Sequence, residues 1–117
     1  MVRQSEFYNR ENIQSAFAVV ALDVSAPGNT ATFDTGGRNN VSWIVELKTL
    51  TGTNITFSWE HSPDGTNWYL IAAETAQTGV GFKQRLDVEN TMRYLRVSWV
   101  ETAVTVATAD IYIQASV

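Results

Sequence analysis

The sequence predicts an all-β protein, an antiparallel β-sandwich or jelly-roll-like fold of about eight strands with an extended N-terminal arm. Three observations lead to this fold class. Threonine (14), valine (13) and isoleucine (6), whose branched side chains favour strands, supply more than a quarter of the 117 residues. Apolar and polar residues alternate along several segments. Turn-forming residues separate those segments at intervals of about 8–12 residues.

Strict alternation marks five segments as half-buried strands, because successive side chains of a strand point to opposite faces of the sheet. One face of each strand should contact a core while the other contacts water. The predicted core-facing residues are Val41, Trp43, Val45 and Leu47; Ile55, Phe57 and Trp59; Phe82, Leu86 and Val88; Leu95, Val97 and Trp99; and Ile111 and Ile113.

The chain is predicted to consist of an arm, residues 1–14, and one sandwich domain, residues 15–117. Its length is that of a single domain. The arm is polar and lacks clear periodicity, and we expect it to contact a neighbouring subunit. The residues predicted to make that contact are Phe7, Tyr8, Arg10 and Ile13. Residues 16–24, which follow the arm, are apolar on both faces, and this pattern predicts a central strand or one covered by a partner.

Charge and composition exclude several classes of function. The net charge is −4 and the eight basic residues are scattered, so we expect no nucleic-acid partner. No apolar run approaches the roughly 20 residues of a membrane span, and the polar N-terminus does not resemble a secretory signal. We therefore expect no membrane partner. Cysteine is absent, which excludes disulfides and thiolate metal sites.

The residues that could support catalysis do not form a recognisable motif. His61 is the single histidine, and a triad could be composed only from Ser58 or Ser62 with His61 and Asp64. These residues lie at the end of a strand and in a turn, without the strand–turn–helix motif of a nucleophile elbow. The interpretation is a surface histidine beside a turn, and the protein is predicted not to be an enzyme.

The acidic residues and the turns do not form a recognisable cofactor or metal site either. Two acidic pairs, Glu60 with Asp64 and Asp87 with Glu89, are interpreted as solvated surface residues. Asp64 and Asn67 could supply oxygen ligands to calcium, but their spacing matches no calcium loop. A type I turn with proline in its second position explains the same segment. We therefore predict no cofactor and no metal.

The turn near residue 64 is nevertheless a candidate surface. It is predicted to be an exposed hairpin, and exposed aromatic side chains are one way in which β-sandwiches bind sugars. The residues singled out there are Asp64, Asn67, Trp68 and Tyr69.

Four segments resemble small β-sandwich structural proteins of tailed phages and prophages. They read FDTGG at 33–37, VSWIV at 41–45, TFSWEHSPDGTNW at 56–68 and RYLRV at 93–97. The family pattern is a D-T-x-G turn, an E-S-x-D-G-x-x-W hairpin and a final R-Y-(L/V)-R-V strand. The chain departs from it at His61, which interrupts the E-S step. The hairpin and the final strand also recur in discoidin-like carbohydrate- and lipid-binding sandwiches.

The resemblance implies a function that composition alone does not. Such proteins are capsid decoration, cement or head-fibre components. We therefore expect a decoration protein that binds the major capsid protein and stabilises the phage head. It would be made in the bacterial cytoplasm and carried on the capsid exterior, as a homo-oligomer for which lattice symmetry favours a trimer. The alternative is a carbohydrate-binding module, either lectin-like or a host-adhesion domain.

Overall fold

The structure is a computed structural model that describes residues 15–116, and the predicted arm lies outside the described residues. Residues 15–116 form strands and turns without a helix, so the predicted all-β fold is confirmed. The strands are β1 (Ser15–Asp23), β2 (Gly28–Asn29), β3 (Phe33–Asp34), β4 (Asn40–Thr51), β5 (Asn54–Ser62), β6 (Tyr69–Ala73), β7 (Gly81–Glu89), β8 (Tyr94–Thr102) and β9 (Val106–Ser116).

The strands form two antiparallel sheets that pack face to face. The four-stranded sheet has the order β1-β9-β4-β7, and the five-stranded sheet has the order β2-β8-β5-β6 with β3 also paired to β8. Both β2 and β3 contain only two residues; β3 pairs with the first two residues of β8, and β2 pairs with the middle of β8 at Ser98 and Trp99. If they are taken as one interrupted strand, the molecule has eight strands in two four-stranded sheets. This is the arrangement of a jelly roll.

The core lies between the inner faces of the two sheets. Trp43 of one sheet and Trp59 of the other are fully buried, with ring centroids 5.0 Å apart. Trp99 is 5% exposed, and its ring packs beside that of Phe57 with centroids 6.3 Å apart. The alternation in β4, β5, β8 and β9 therefore identifies the core correctly. Aromatic pairs of this kind contribute beyond the burial of their area.

Strand β7 contradicts the predicted core face. Phe82 and Leu86 are 60% and 55% exposed, whereas Val88 is half-buried. The cause is an extra residue in the pairing of β7 with β4, beside which Asp87 takes a positive φ of 56°. The irregularity reverses the alternation, because one inserted residue moves all following side chains to the opposite face.

The described residues test one of the two alternatives for residues 16–24. β1 pairs only with β9 and forms an edge of the four-stranded sheet, so the prediction of a central strand is wrong. Its pairing is interrupted after Val19, where Ala21 has a φ of 55°. Oδ1 of Asp110 accepts the Ala21 N–H at 2.8 Å. The irregularity limits the straight edge available for pairing, a common feature of edge strands.

A polar contact joins the sheets at the opposite side, between β6 and β7. The indole N–H of Trp59 donates to Oε2 of Glu74, a residue that follows β6. Nε of Arg85 in β7 donates to the same oxygen at 2.6 Å. Glu74 therefore connects the buried ring of one sheet to a cation of the other.

Candidate functional site

The predicted hairpin is organised by the hydroxyl of Ser62, which is fully buried. Its Oγ accepts the backbone N–H groups of Asp64 at 3.2 Å and Gly65 at 2.8 Å, and it donates to Oδ1 of Asp64 at 3.0 Å. Gly65 has a φ of 78°, a left-handed conformation that glycine adopts without strain. The serine and the glycine therefore have structural roles in the turn.

The carboxylate of Asp64 is occupied by the same loop. Oδ1 accepts the N–H groups of Thr66 and Asn67 at 2.9 and 2.8 Å, and Oδ2 accepts Nδ2 of Asn67 at 2.7 Å. The N–H groups of Asn67 and Thr66 hold the pKa of Asp64 well below its usual range. Within residues 15–116, no group of three or more acidic or histidine side chains could hold a metal ion. The polar groups of this loop are satisfied by one another.

His61 does not form a hydrogen bond with either serine that could complete a catalytic triad, Ser58 or Ser62. Its Nδ1 accepts the N–H of Met92 at 3.1 Å, while the hydroxyl of Ser62 is bonded within the turn. Ser58 is separated from His61 by three positions of the same strand, so the two side chains point to opposite faces. Burial lowers the pKa of His61. The histidine is half-buried rather than fully solvated.

Trp68 packs against a charged pair on the outer face of the five-stranded sheet. The guanidinium of Arg96 lies 4.3 Å from the centroid of the Trp68 ring. Nε of Arg96 donates to Oε1 of Glu60 at 2.7 Å. Trp68 is thus half-buried. The neighbouring Tyr69 is 53% exposed, so the exposed aromatic surface of the hairpin is mainly that of Tyr69.

A surface that the sequence did not reveal lies on the outer face of the four-stranded sheet. There Tyr112 pairs in register with Ala18 of β1 and Ile44 of β4. Leu86 of β7 and Ala16 of β1 flank this row, and together these five residues define what we call the outer groove. Val20 is 63% exposed at its β1 side. The irregularity in β7 is the reason that the sequence placed Leu86 in the core.

The outer groove is shallow, mainly apolar and uncharged, with Ser42 and Gln114 as further polar lining residues. Its volume is about 400 Å³, and no charged side chain lines it among residues 15–116. The small side chains of Ala16 and Ala18 leave space beside the ring of Tyr112 and the side chain of Leu86. A contiguous apolar surface of this kind is characteristic of a contact with another polypeptide. The predicted contact residues Phe7, Tyr8, Arg10 and Ile13 lie outside the described residues.

Fold and surfaces together define a jelly-roll sandwich domain with a mainly apolar groove on the outer face of one sheet and a polar hairpin at one end of the other. Among residues 15–116 there is no helix of the length and apolarity needed to cross a membrane. Jelly rolls occur in viral capsid proteins and in lectins, so the fold by itself is compatible with both functions considered above.

Comparisons with solved structures identify the same fold in three settings. The SPBc2 prophage-derived protein YomS matches with a TM-score of 0.57 and 13% identity, over 89% of this chain and 96% of that one. A Bacillus endospore appendage protein, from a family described as disulfide-linked pili, matches with a TM-score of 0.52 and 15% identity, over 90% and 88%. PirA matches with a TM-score of 0.50 and 10% identity, over 89% and 93%.

Identities this low show that the fold is shared and no more than that. No family model and no curated protein sequence matches the chain.

Proposed function

We propose that this protein is a structural component of a phage particle, a decoration or cement protein that binds the major capsid protein and stabilises the head. The observation that carries the proposal is the mainly apolar outer groove in the outer face of the four-stranded sheet. The sequence motifs that resemble phage structural proteins support it, and so does the fold shared with a prophage-derived protein.

The exposed apolar side chains favour association with another chain over the monomeric state. Val20, Phe82 and Leu86 are each more than half exposed on that sheet. Burying one side chain of this size completely contributes about 1.5–3 kcal/mol. A head surface repeats the binding partner many times, so a modest contact per copy is multiplied by avidity. We accordingly propose a homo-oligomer, with a trimer favoured by the symmetry of such lattices.

The proposed place of the protein is the capsid exterior, after synthesis in the bacterial cytoplasm. A net charge of −4 with scattered basic residues suits an outer surface better than a contact with packaged nucleic acid. The polar hairpin keeps its charged groups paired within the molecule, and it needs neither cofactor nor metal to do so. On this proposal the protein binds and assembles, and it is not an enzyme.

The experiment that tests the proposal is co-sedimentation of the purified protein with capsids that lack it. We expect saturable binding that is lost when residues 1–14 are deleted and when Leu86 is replaced by glutamate. Leu70→Glu is the matched control, because Leu70 is 60% exposed on the other sheet. Equal binding by Leu86→Glu and the wild-type protein would show that the outer groove is not needed for capsid binding. Absence of binding by the wild-type protein would refute the capsid role.

The second candidate function is carbohydrate binding, and the exposure of Tyr69 beside Trp68 is the observation that favours it. A glycan screen tests it. A sugar that binds the wild-type protein and not Tyr69→Ala would support this function, particularly if the capsid experiment is negative. Thr66→Ala, an exposed change in the same loop, is the control.

A further inference from the structure

We propose that the outer groove receives residues 1–14 of a neighbouring copy of the chain. The inference rests on the proposed function in taking the protein to act as assembled copies, and it names the contact between them. β1 is an edge strand whose outward residues Ala16, Ala18 and Val20 are all apolar and exposed. The apolar outward side of this strand and the groove beside it are suited to an apolar occupant.

The segment joins the sheet at the groove itself. β1 begins at Ser15, and the next residue, Ala16, lines the groove. Fourteen residues in an extended chain reach about 46 Å. This is comparable with the 56 Å long axis of the molecule, so the segment can cross from one copy to the groove of the next.

The chemistry of the segment matches that of the groove. Residues 1–14 contain apolar side chains that can enter it, among them Phe7, Tyr8 and Ile13. The segment carries two arginines and two glutamates, so its side-chain charges cancel, and the groove is uncharged. The space that Ala16 and Ala18 leave beside Tyr112 suits an aromatic ring, which packs well against another ring at an offset or tilted angle.

A neighbouring copy provides this occupant more easily than the same chain does. To lie over its own sheet, the segment would have to reverse direction immediately before Ser15. The residues there are Ile13 and Gln14, and residues 1–14 contain no glycine or proline. A tight reversal is favoured by those residues and disfavoured by a β-branched side chain. When each copy's segment binds the next copy, the contact is head-to-tail, and a ring closes if the rotation permits it.

The absence of cysteine permits a direct test by engineered disulfides. One variant carries Tyr8→Cys and a second carries Leu86→Cys. The two are mixed without capsids, oxidised mildly and analysed on a non-reducing gel. Leu86 is exposed, so its replacement should leave the fold intact, which circular dichroism checks. Val100→Cys replaces Leu86→Cys in the control mixture, because Val100 is 61% exposed on the opposite sheet.

We expect the first mixture to give a disulfide-linked species of twice the chain mass, at least about tenfold above the control mixture. A chain carrying both Tyr8→Cys and Leu86→Cys should give a ladder of linked copies. Linkage within single chains of that double variant, without linkage in the mixture, would overturn the proposal by showing that each chain covers its own groove. Yields equal to those of the Val100→Cys control would overturn it as well.

A second measurement tests the inference without relying on the geometry of an engineered disulfide. In sedimentation equilibrium of the protein alone, Phe7→Ala with Tyr8→Ala should weaken self-association roughly ten- to hundredfold, as the loss of buried aromatic contacts does at interfaces. A wild-type protein that stays monomeric at high concentration would contradict the inference. Self-association without capsid binding would instead refute the capsid role and leave the contact between copies standing.

Discussion

The guanidinium of Arg93 forms a bidentate ion pair with the carboxylate of Asp34. Nε donates to Oδ1 at 2.8 Å and Nη2 donates to Oδ2 at 3.0 Å. The backbone adds a bond from the N–H of Thr35 to the carbonyl of Arg93 at 2.9 Å. The D-T-x-G turn and the R-Y-(L/V)-R-V strand are thus two halves of one contact, which holds β3 against the start of β8.

This pair predicts a specific acid sensitivity. The Arg93 side chain, with the N–H of Gly36, lowers the pKa of Asp34 from 3.8 to about 2. A lowered pKa means that the stabilisation is fully present above about pH 4 and is lost as the pH falls through about 2. Arg93→Gln should raise the Asp34 pKa towards its ordinary value and reduce the loss of stability between those limits.

Carboxyl titration by NMR, together with urea midpoints between pH 2 and 5, checks this prediction. Asp64 is the internal control, since the groups that lower its pKa belong to its own loop. An Asp34 pKa that is the same in Arg93→Gln and the wild-type protein would show that the Gly36 N–H, rather than the arginine, dominates.

Alternation was sufficient to predict the core because β4, β5, β8 and β9 keep regular pairing over their inner faces. Trp43 and Trp59 fall in phase with that pairing, and their burial follows. The prediction failed in β7, where an irregularity reverses the faces. The local sequence around Asp87 is only a weak signal, because aspartate tolerates a positive φ without requiring one.

The candidate surfaces could be predicted only in part for the same reason. The hairpin was found, since Ser62, Asp64 and Gly65 are turn residues in a turn pattern. The outer groove was not found, because its residues come from four strands whose adjacency depends on the sheet order. One signal was present: residues 16–24 are apolar on both faces, which indicated either a central strand or one covered by a partner, without identifying the surface.

Glu74 should contribute to stability because it is the hydrogen-bond acceptor of a buried indole. Its replacement by alanine would leave the Trp59 N–H without its partner and Arg85 without its ion pair. A buried donor without a partner costs about 1–3 kcal/mol in the free energy of unfolding. Urea denaturation measures this, with Glu89→Ala as a control that removes the same charge at an exposed site. Equal destabilisation by both changes would point to net charge as the cause.

Two glycines should respond very differently to alanine. At Gly52 the φ is 150°, and a Cβ would lie 2.5 Å from both the Ala103 carbonyl oxygen and the Val104 Cα. At Gly79 a Cβ would meet nothing within 4 Å. We expect Gly52→Ala to destabilise the protein by about 1–3 kcal/mol and Gly79→Ala to change stability by less than about 0.5 kcal/mol. Thermal melting of the two variants measures this difference. A Gly52→Ala variant as stable as the wild-type protein would mean that the β4–β5 turn can rearrange.

The packing of Arg96 on Trp68 should be measurable as a coupling between the two side chains. A cation over an indole contributes about 0.5–2 kcal/mol, depending on how far the pair is desolvated, and both side chains here are half-buried. A double-mutant cycle with Trp68→Leu and Arg96→Met keeps apolar volume at both positions while removing the ring and the charge. We expect a coupling near 1 kcal/mol by urea denaturation.

The bond from Arg96 to Glu60 complicates that cycle, because Arg96→Met also removes it. A second cycle, with Glu60→Gln and Trp68→Leu, separates the loss of the Arg96–Glu60 bond from the loss of the Arg96–Trp68 packing. It measures how much Trp68 contributes to stability when Arg96 has lost its carboxylate partner. If Trp68 acts through the guanidinium face, its loss should cost nearly the same in both backgrounds. If Trp68→Leu costs nothing in the Glu60→Gln background, the carboxylate holds Arg96 over the ring, and Trp68 would then be available to other ligands whenever that ion pair opens.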